Sequence, residues 1–183
     1  MSMLRDLADR WVRTSRTHSP WIVHFDCGSC NGCDIEILDV LTPVHSAERF
    51  GVVNVGDPRQ ADILLVTGAA NLRNAAVLRA TYDQMAEPKA VVAVGACAAY
   101  GGVFRGAPNV LGGVDRIIPV DVHVAGCPPR PEAILAGVLE AAALLAEPRT
   151  RRPSREGRVT EAETRITENR TTGPRLSEEE THV

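Results

Sequence analysis

Five cysteines carry the clearest chemical signal in this chain: Cys27, Cys30, Cys33, Cys97 and Cys127. An odd number, with three packed into seven residues, makes a poor disulfide framework and points to metal or redox chemistry in a reducing compartment. Four thiolates can hold a [4Fe–4S] cluster or a zinc ion. Other chemistries find less support. His24 sits inside an apolar run and suits packing, while His45 and His123 stand alone on separate segments. No Ser/His/Asp order suits a hydrolase. The Gly-rich loop Gly95–Gly102 lacks both the dinucleotide fingerprint and a Gly-Lys-Ser/Thr, which weakens a phosphate reading.

The cysteines must be positioned by the elements between them. Trp21–Phe25 is a short apolar strand, and Cys33–Leu41 has Ile35, Leu38 and Leu41 at helical spacing before Pro43. Gly51–Val55 and Ile63–Thr67 are β-branched runs that read as strands, as do Ala90–Gly95 and Ile117–Val124. Arg73–Met85 and Pro131–Ala146 read as helices, the second with proline in its first turn. Strands alternating with helices predict an α/β fold: a flavodoxin-like parallel sheet with helices on both faces. Cys27, Cys30 and Cys33 follow the first strand, Cys97 follows Gly95, and Cys127 follows Val124. Open α/β sheets bind ligands outside the carboxyl ends of their strands. Three distant segments are therefore expected to deliver thiols to one rim.

Spacing bears on what those thiols hold. Structural zinc usually takes two short Cys pairs, whereas here one close pair joins two isolated cysteines. Gly28, Gly32, Gly95, Gly101, Gly102 and Gly126 let backbone approach a bulky group and offer N–H donors to its sulfurs. Pro128 and Pro129 stiffen the last loop. These residues favour an iron–sulfur cluster and leave zinc and thiol redox chemistry open.

Three motifs carry a family resemblance. Cys30-Asn31-Gly32-Cys33-Asp34-Ile35-Glu36, Gly95-Ala96-Cys97-Ala98-Ala99-Tyr100-Gly101-Gly102 and Gly126-Cys127-Pro128-Pro129-Arg130-Pro131-Glu132 occur in that order. Over roughly residues 20–146 the chain resembles the small subunit of energy-converting, membrane-bound [NiFe] hydrogenases. It also resembles the homologous 20 kDa subunit of NADH–quinone oxidoreductase. That subunit has two adjacent cysteines in the first motif, whereas this chain has Cys-Asn-Gly-Cys, as the hydrogenase type does.

The resemblance implies that Cys30, Cys33, Cys97 and Cys127 ligate one [4Fe–4S] cluster, with Cys27 a bystander or an alternative ligand at the same spacing. It places Glu36 toward a partner as a proton relay, against a plain solvated or capping role. Arg130 would bias the cluster potential, against a surface ion pair. The implied function is electron transfer next to the [NiFe] site of a separate large subunit, with no complete active site in this chain. A ferredoxin-like iron–sulfur subunit and membrane ion-translocating subunits complete the implied partners. Quinone reduction in an NADH–quinone oxidoreductase-type complex is the same-fold alternative. A zinc-stabilised interaction module is the alternative of another class.

Composition sets the outer bounds. The 183 residues are 44% hydrophobic but only 4% aromatic, so Ala, Val, Leu and Ile must fill the core. A net charge of -3 argues against nucleic-acid binding, which needs a basic surface. The longest uncharged run, Ala90–Phe104, is shorter than the ~18 apolar residues of a spanning helix. The N-terminus has Arg5, Asp6, Asp9 and Arg10 in place of an apolar signal core. The expected location is cytoplasmic, peripheral on the inner face of the cell membrane through partners, with no direct span. Three regions are expected: an amphipathic helical arm over 1–19, the cluster-binding domain over 20–146, and a polar tail over 147–183. The tail holds eight acidic and eight basic side chains and too little apolar surface to fold, so it is expected to be disordered.

Overall fold

The structure is a computed structural model that describes residues 11–12 and 14–146. The amino-terminal ten residues and the tail over 147–183 lie outside the described residues, and with them most of the expected arm and all of the expected disordered region.

The apolar runs form the strands of one parallel sheet. These are β1 (Trp21–Asp26), β2 (Val53–Asn54), β3 (Ile63–Thr67), β5 (Ala90–Val94) and β7 (Val122–Val124). Their spatial order is β2-β1-β3-β5-β7, with every pair parallel. Numbered within this sheet alone, the order is 2-1-3-4-5, the flavodoxin-like arrangement, and it reverses direction between β1 and β3. Every residue of β3 and β5 is buried, as strands covered on both faces require.

Side-chain alternation divides the core in two. Ile63, Leu65, Val92 and Val94 face helices α1 (Gly32–Val40) and α4 (Pro131–Leu144) through Ile37, Val40, Ile134 and Val138. Leu64, Val66, Val91 and Ala93 face the other way, toward α2 (Leu72–Gln84), through Ala75, Leu78 and Tyr82. Asn71 caps α2 by accepting the Asn74 N–H at 2.9 Å.

Three local expectations are corrected and one element is new. The strand expected over Ile117–Val124 is only β7, because Val114–Arg116 forms a 3₁₀ turn and Pro119 has no N–H to pair. Asp121 then ties this segment to β5: its N–H donates to the Val91 carbonyl and its carboxylate accepts the Val91 N–H. The strand expected over Gly51–Val55 shrinks to β2, because a 3₁₀ helix runs through Ala47–Phe50 just before it. The Gly95–Gly102 loop is instead largely a helix, α3 (Gly95–Tyr100), whose Ala-rich sequence favours that state. A second, antiparallel sheet of β4 (Ala70–Asn71) and β6 (Val110–Gly112) was not expected from these short segments.

The described part of the arm docks at the amino ends of the strands. Residues 14–18 are helical, and Arg16 Nε lies 3.4 Å from Asp62 Oδ1 at the start of β3. Trp11 and Val12 are exposed.

Candidate metal centre

The site forms at the opposite rim, where β1, β5 and β7 end. After Asp26 the chain passes through Cys27, makes a tight turn and enters α1 at Gly32. Asn31 adopts a left-handed conformation before the helix, at φ 67°. This turn carries Cys30 and Cys33. Cys97 lies in the first turn of α3, directly after β5. Cys127 lies in the loop after β7. The last two loops are joined by backbone, because the Ala96 N–H donates to the Gly126 carbonyl at 2.8 Å. A Cβ on Gly32 would lie 3.6 Å from Cys30 Sγ and 3.9 Å from Pro128, so the Cys30 turn abuts the Cys127 loop.

Electrostatics report the same convergence. Burial pushes the Cys33 thiol up to about 11, and negative charge on Cys97, Asp34, Cys30 and Cys127 pushes the same way. Burial also raises the Cys97 thiol, followed by Cys127 and Cys30. Near neutral pH, binding to a cationic core would displace the protons of thiols that oppose one another's ionisation. Cys30 and Cys127 are exposed, while Cys33 and Cys97 are buried.

Cys27 is brought to a different place. It is fully buried on the α2 side of the sheet, whereas Cys33 belongs to the α1 and α4 side. Its N–H donates to the Thr67 carbonyl at 2.9 Å, and Asn71 Nδ2 donates to its own carbonyl at 2.6 Å. Burial pushes its thiol up to about 11, and of the charged groups acting on it only Asp26 is a neighbour.

The residues fit a bulky sulfur-ligated group. Gly95 has φ +86°, and a Cβ there would lie 2.7 Å from Cys33 Sγ; Gly102 has φ +52°, and its Cβ would lie 2.7 Å from Cys97 Sγ. Both conformations suit glycine, and both glycines leave room that any other residue would take from a cysteine sulfur. Among the described residues, no three His, Cys, Asp or Glu side chains are grouped tightly enough to hold a single metal ion.

The other candidates are placed as follows. Glu36 lies on α1, half-buried, between the exposed Ile35 and the buried Ile37. Arg130 is exposed at the N-cap of α4. His45 joins helices, with Nε2 at 3.2 Å from Asp39 of α1 and Nδ1 at 3.8 Å from Glu132 of α4. His24 does more than pack: its Nε2 lies 2.9 Å from Asp34 Oδ1 and 3.0 Å from Thr67 Oγ1. One nitrogen serves both contacts, so this is not a nucleophile relay, which uses opposite ring nitrogens. Sequence reasoning missed this trio because its members lie on β1, α1 and β3, and they meet only through the pairing of β1 with β3 and the packing of α1 at their ends.

Comparison with known proteins decides the family. Residues 30–141 match the family described as NADH ubiquinone oxidoreductase, 20 Kd subunit. The chain belongs to this family. The matched span contains Cys30, Cys33, Cys97 and Cys127 and begins after Cys27. The chain is 56% identical over 129 residues to the probable membrane-bound hydrogenase subunit mbhJ of Pyrococcus furiosus, covering 70% of this chain and 77% of that one. It is 46% identical over 133 residues to an NADH-quinone oxidoreductase subunit of Phocaeicola vulgatus, covering 72% of this chain and 66% of that one. A chain of the membrane-bound sulfane sulfur reductase, an archaeal respiratory membrane complex, superposes with a TM-score of 0.70 at 32% identity, covering 89% of this chain and 90% of that one. The family member described here is thus an oxidoreductase subunit of the hydrogenase and NADH–quinone oxidoreductase lineage. Among its described residues, no helix is long and apolar enough to cross a membrane.

Proposed function

We propose that this family member holds one [4Fe–4S] cluster on Cys30, Cys33, Cys97 and Cys127 and relays single electrons within an energy-converting [NiFe] hydrogenase. The convergence of these four thiols from three loops, with Cys27 on the other side of the sheet, carries the reading. When bound, the cluster supplies one-electron redox chemistry. The chain itself fixes the sulfurs, excludes water from Cys33 and Cys97, and leaves Cys30 and Cys127 at the surface, where a partner redox centre can approach.

The same rim presents a docking face. Ile35 and Leu38 on α1, Tyr100 at the end of α3 and Val103 beyond it are large, apolar-bodied and exposed. In this reading they meet the large subunit that carries the [NiFe] centre, while a ferredoxin-like subunit and membrane ion-translocating subunits complete the assembly. The chain then sits at the cytoplasmic face of the membrane through those partners. Glu36, half-buried on the same helix, is placed to pass protons across that interface, and Arg130 adds positive charge beside Cys127. The unit over 20–146 acts as the cluster domain, with 1–19 as an arm and 147–183 as a tail.

A second reading is an NADH–quinone oxidoreductase-type complex, favoured by the family match and by the Phocaeicola vulgatus relative. The Cys30-Asn31-Gly32-Cys33 motif favours the hydrogenase type. Gentle anaerobic co-purification of the native complex tests the choice. A large partner subunit with paired nickel-ligating cysteines is the expected result. A large partner without them would replace this reading by the quinone one.

A further inference from the structure

The turn that carries Cys30 and Cys33 is closed by two side chains that meet across it. Ser29 Oγ donates to Asp34 Oδ2, joining the residue before the Cys30–Cys33 segment to the residue after it. Ser29 Oγ also accepts the Asn31 N–H at 2.9 Å, inside the turn. Upstream, Asp26 Oδ1 accepts the N–H groups of Gly28 and Ser29 at 2.7 and 2.6 Å.

The other Asp34 oxygen points to the sheet. Thr67 Oγ1 donates to Asp34 Oδ1 at 2.5 Å from the end of β3, and His24 Nε2 approaches it to 2.9 Å from β1. Donation from this nitrogen needs the Nε2–H form of the ring. Three donors from three segments therefore converge on two oxygens, the set that an ionised carboxylate accepts. A role limited to helix α1 would aim Asp34 at the free N–H groups of the first turn. Both of its oxygens instead face side chains of other segments. The carboxylate is fixed at the junction of β1, β3 and α1, one residue from Cys33, and its side chain is only 16% exposed.

We propose that Asp34 is a positioning residue of the cluster turn and that its tethered negative charge holds the bound cluster at a low reduction potential. This rests on the cluster reading above. Reduction adds an electron to the cluster, and a fixed negative charge nearby opposes that step. Limited exposure weakens solvent screening of the effect. Thr67, His24 and Ser29 keep the carboxylate from swinging into water.

The test is a redox titration of the anaerobically purified full chain, followed by electron paramagnetic resonance, with iron and sulfide measured on every sample. Asp34→Asn keeps the side-chain shape and removes the charge. The expected result is an unchanged cluster content with a midpoint potential shifted to a less negative value. Thr67→Val and His24→Gln keep the charge and each cut one tether. They are expected to broaden or reshape the resonance spectrum, with a smaller potential shift than Asp34→Asn. A fully loaded Asp34→Asn protein with the parent's potential would overturn the proposal. So would an Asp34→Asn protein that folds by circular dichroism but takes up no cluster, since the charge would then serve assembly rather than potential. If Asp34→Asn does not fold, the tether variants decide, and parent-like spectra in both overturn it. Absence of iron and sulfide from the parent itself is a failure of the cluster reading, and it is seen before any variant is made.

Discussion

The five thiols differ in address more than in chemistry. Cys33 and Cys97 are buried, Cys30 and Cys127 reach solvent, and Cys27 lies in apolar packing on the face of the sheet opposite Cys33. Replacing Cys97 or Cys127 by Ser should abolish the reducible cluster signal in electron paramagnetic resonance. Cys27→Ala should retain it, because Cys27 is packed in the core on the face of the sheet opposite Cys33; loss of the signal there would reassign the ligand set. Reactivity gives a second check. Burial pushes the Cys27 thiol up to about 11, so at pH 8 it stays protonated and unreactive. Alkylation of the iron-free chain, mapped by mass spectrometry, should label the exposed Cys30 and Cys127 first and Cys27 last.

At the scale of elements, the site depends on how strands hand over to loops. Gly95 turns the end of β5 into α3 at φ +86°, with Cys33 Sγ only 2.7 Å from where its Cβ would be. Gly95→Ala combines backbone strain of about 1–3 kcal/mol with a clash against a ligand sulfur. It is expected to lower the midpoint of urea unfolding and to cut cluster content sharply; parent values in both would show that the cradle is not needed. The opposite rim has its own anchor. Asp62 is buried, accepts the Trp21 N–H at 3.1 Å and faces Arg16, and burial raises its carboxyl above the usual value of 3.8. A raised folded-state pKa adds stability at acid pH that is lost as pH rises through it. Asp62→Asn keeps an acceptor for Trp21 and removes the buried charge. Its melting temperature should therefore be at or above the parent's at pH 7, and the gap should narrow as pH falls toward 4. A variant clearly less stable at pH 7 would show that the Arg16 pair outweighs burial.

Legibility also varied by element. The runs Ile63–Thr67 and Ala90–Val94 were readable because strands buried on both faces are apolar without interruption. Their carboxyl ends then located the rim where the cysteines meet. Helix α3 was not readable, because Gly95-Ala96-Cys97-Ala98-Ala99-Tyr100 is too short for a helical period to show. β4 has two residues and β6 three, again too few for an alternating pattern. The Asp34 network was hidden for a different reason: His24 and Thr67 come from neighbouring strands and reach Asp34 across 10 and 33 residues of chain, which no local spacing encodes.

At the scale of the whole molecule, the described residues put the four proposed ligand cysteines at one rim of the sheet and Arg16, at the other, beside Asp62. The described residues form a five-stranded parallel sheet with a core on each face, and Leu145, just after α4, is buried in one of them. Removing residues 147–183 should leave the melting temperature within about 2 °C, the smallest shift that roughly 1 kcal/mol produces in a chain of this size. A larger drop would mean that the tail contributes packing. The same cut should not alter cluster content, since all four proposed ligands precede it.

Metal content separates a cubane from every rival occupant of these four thiols. Iron, acid-labile sulfide and zinc should be measured on the full chain purified without oxygen. A cubane on Cys30, Cys33, Cys97 and Cys127 predicts about four iron and about four sulfide per chain; one zinc with no sulfide would contradict it.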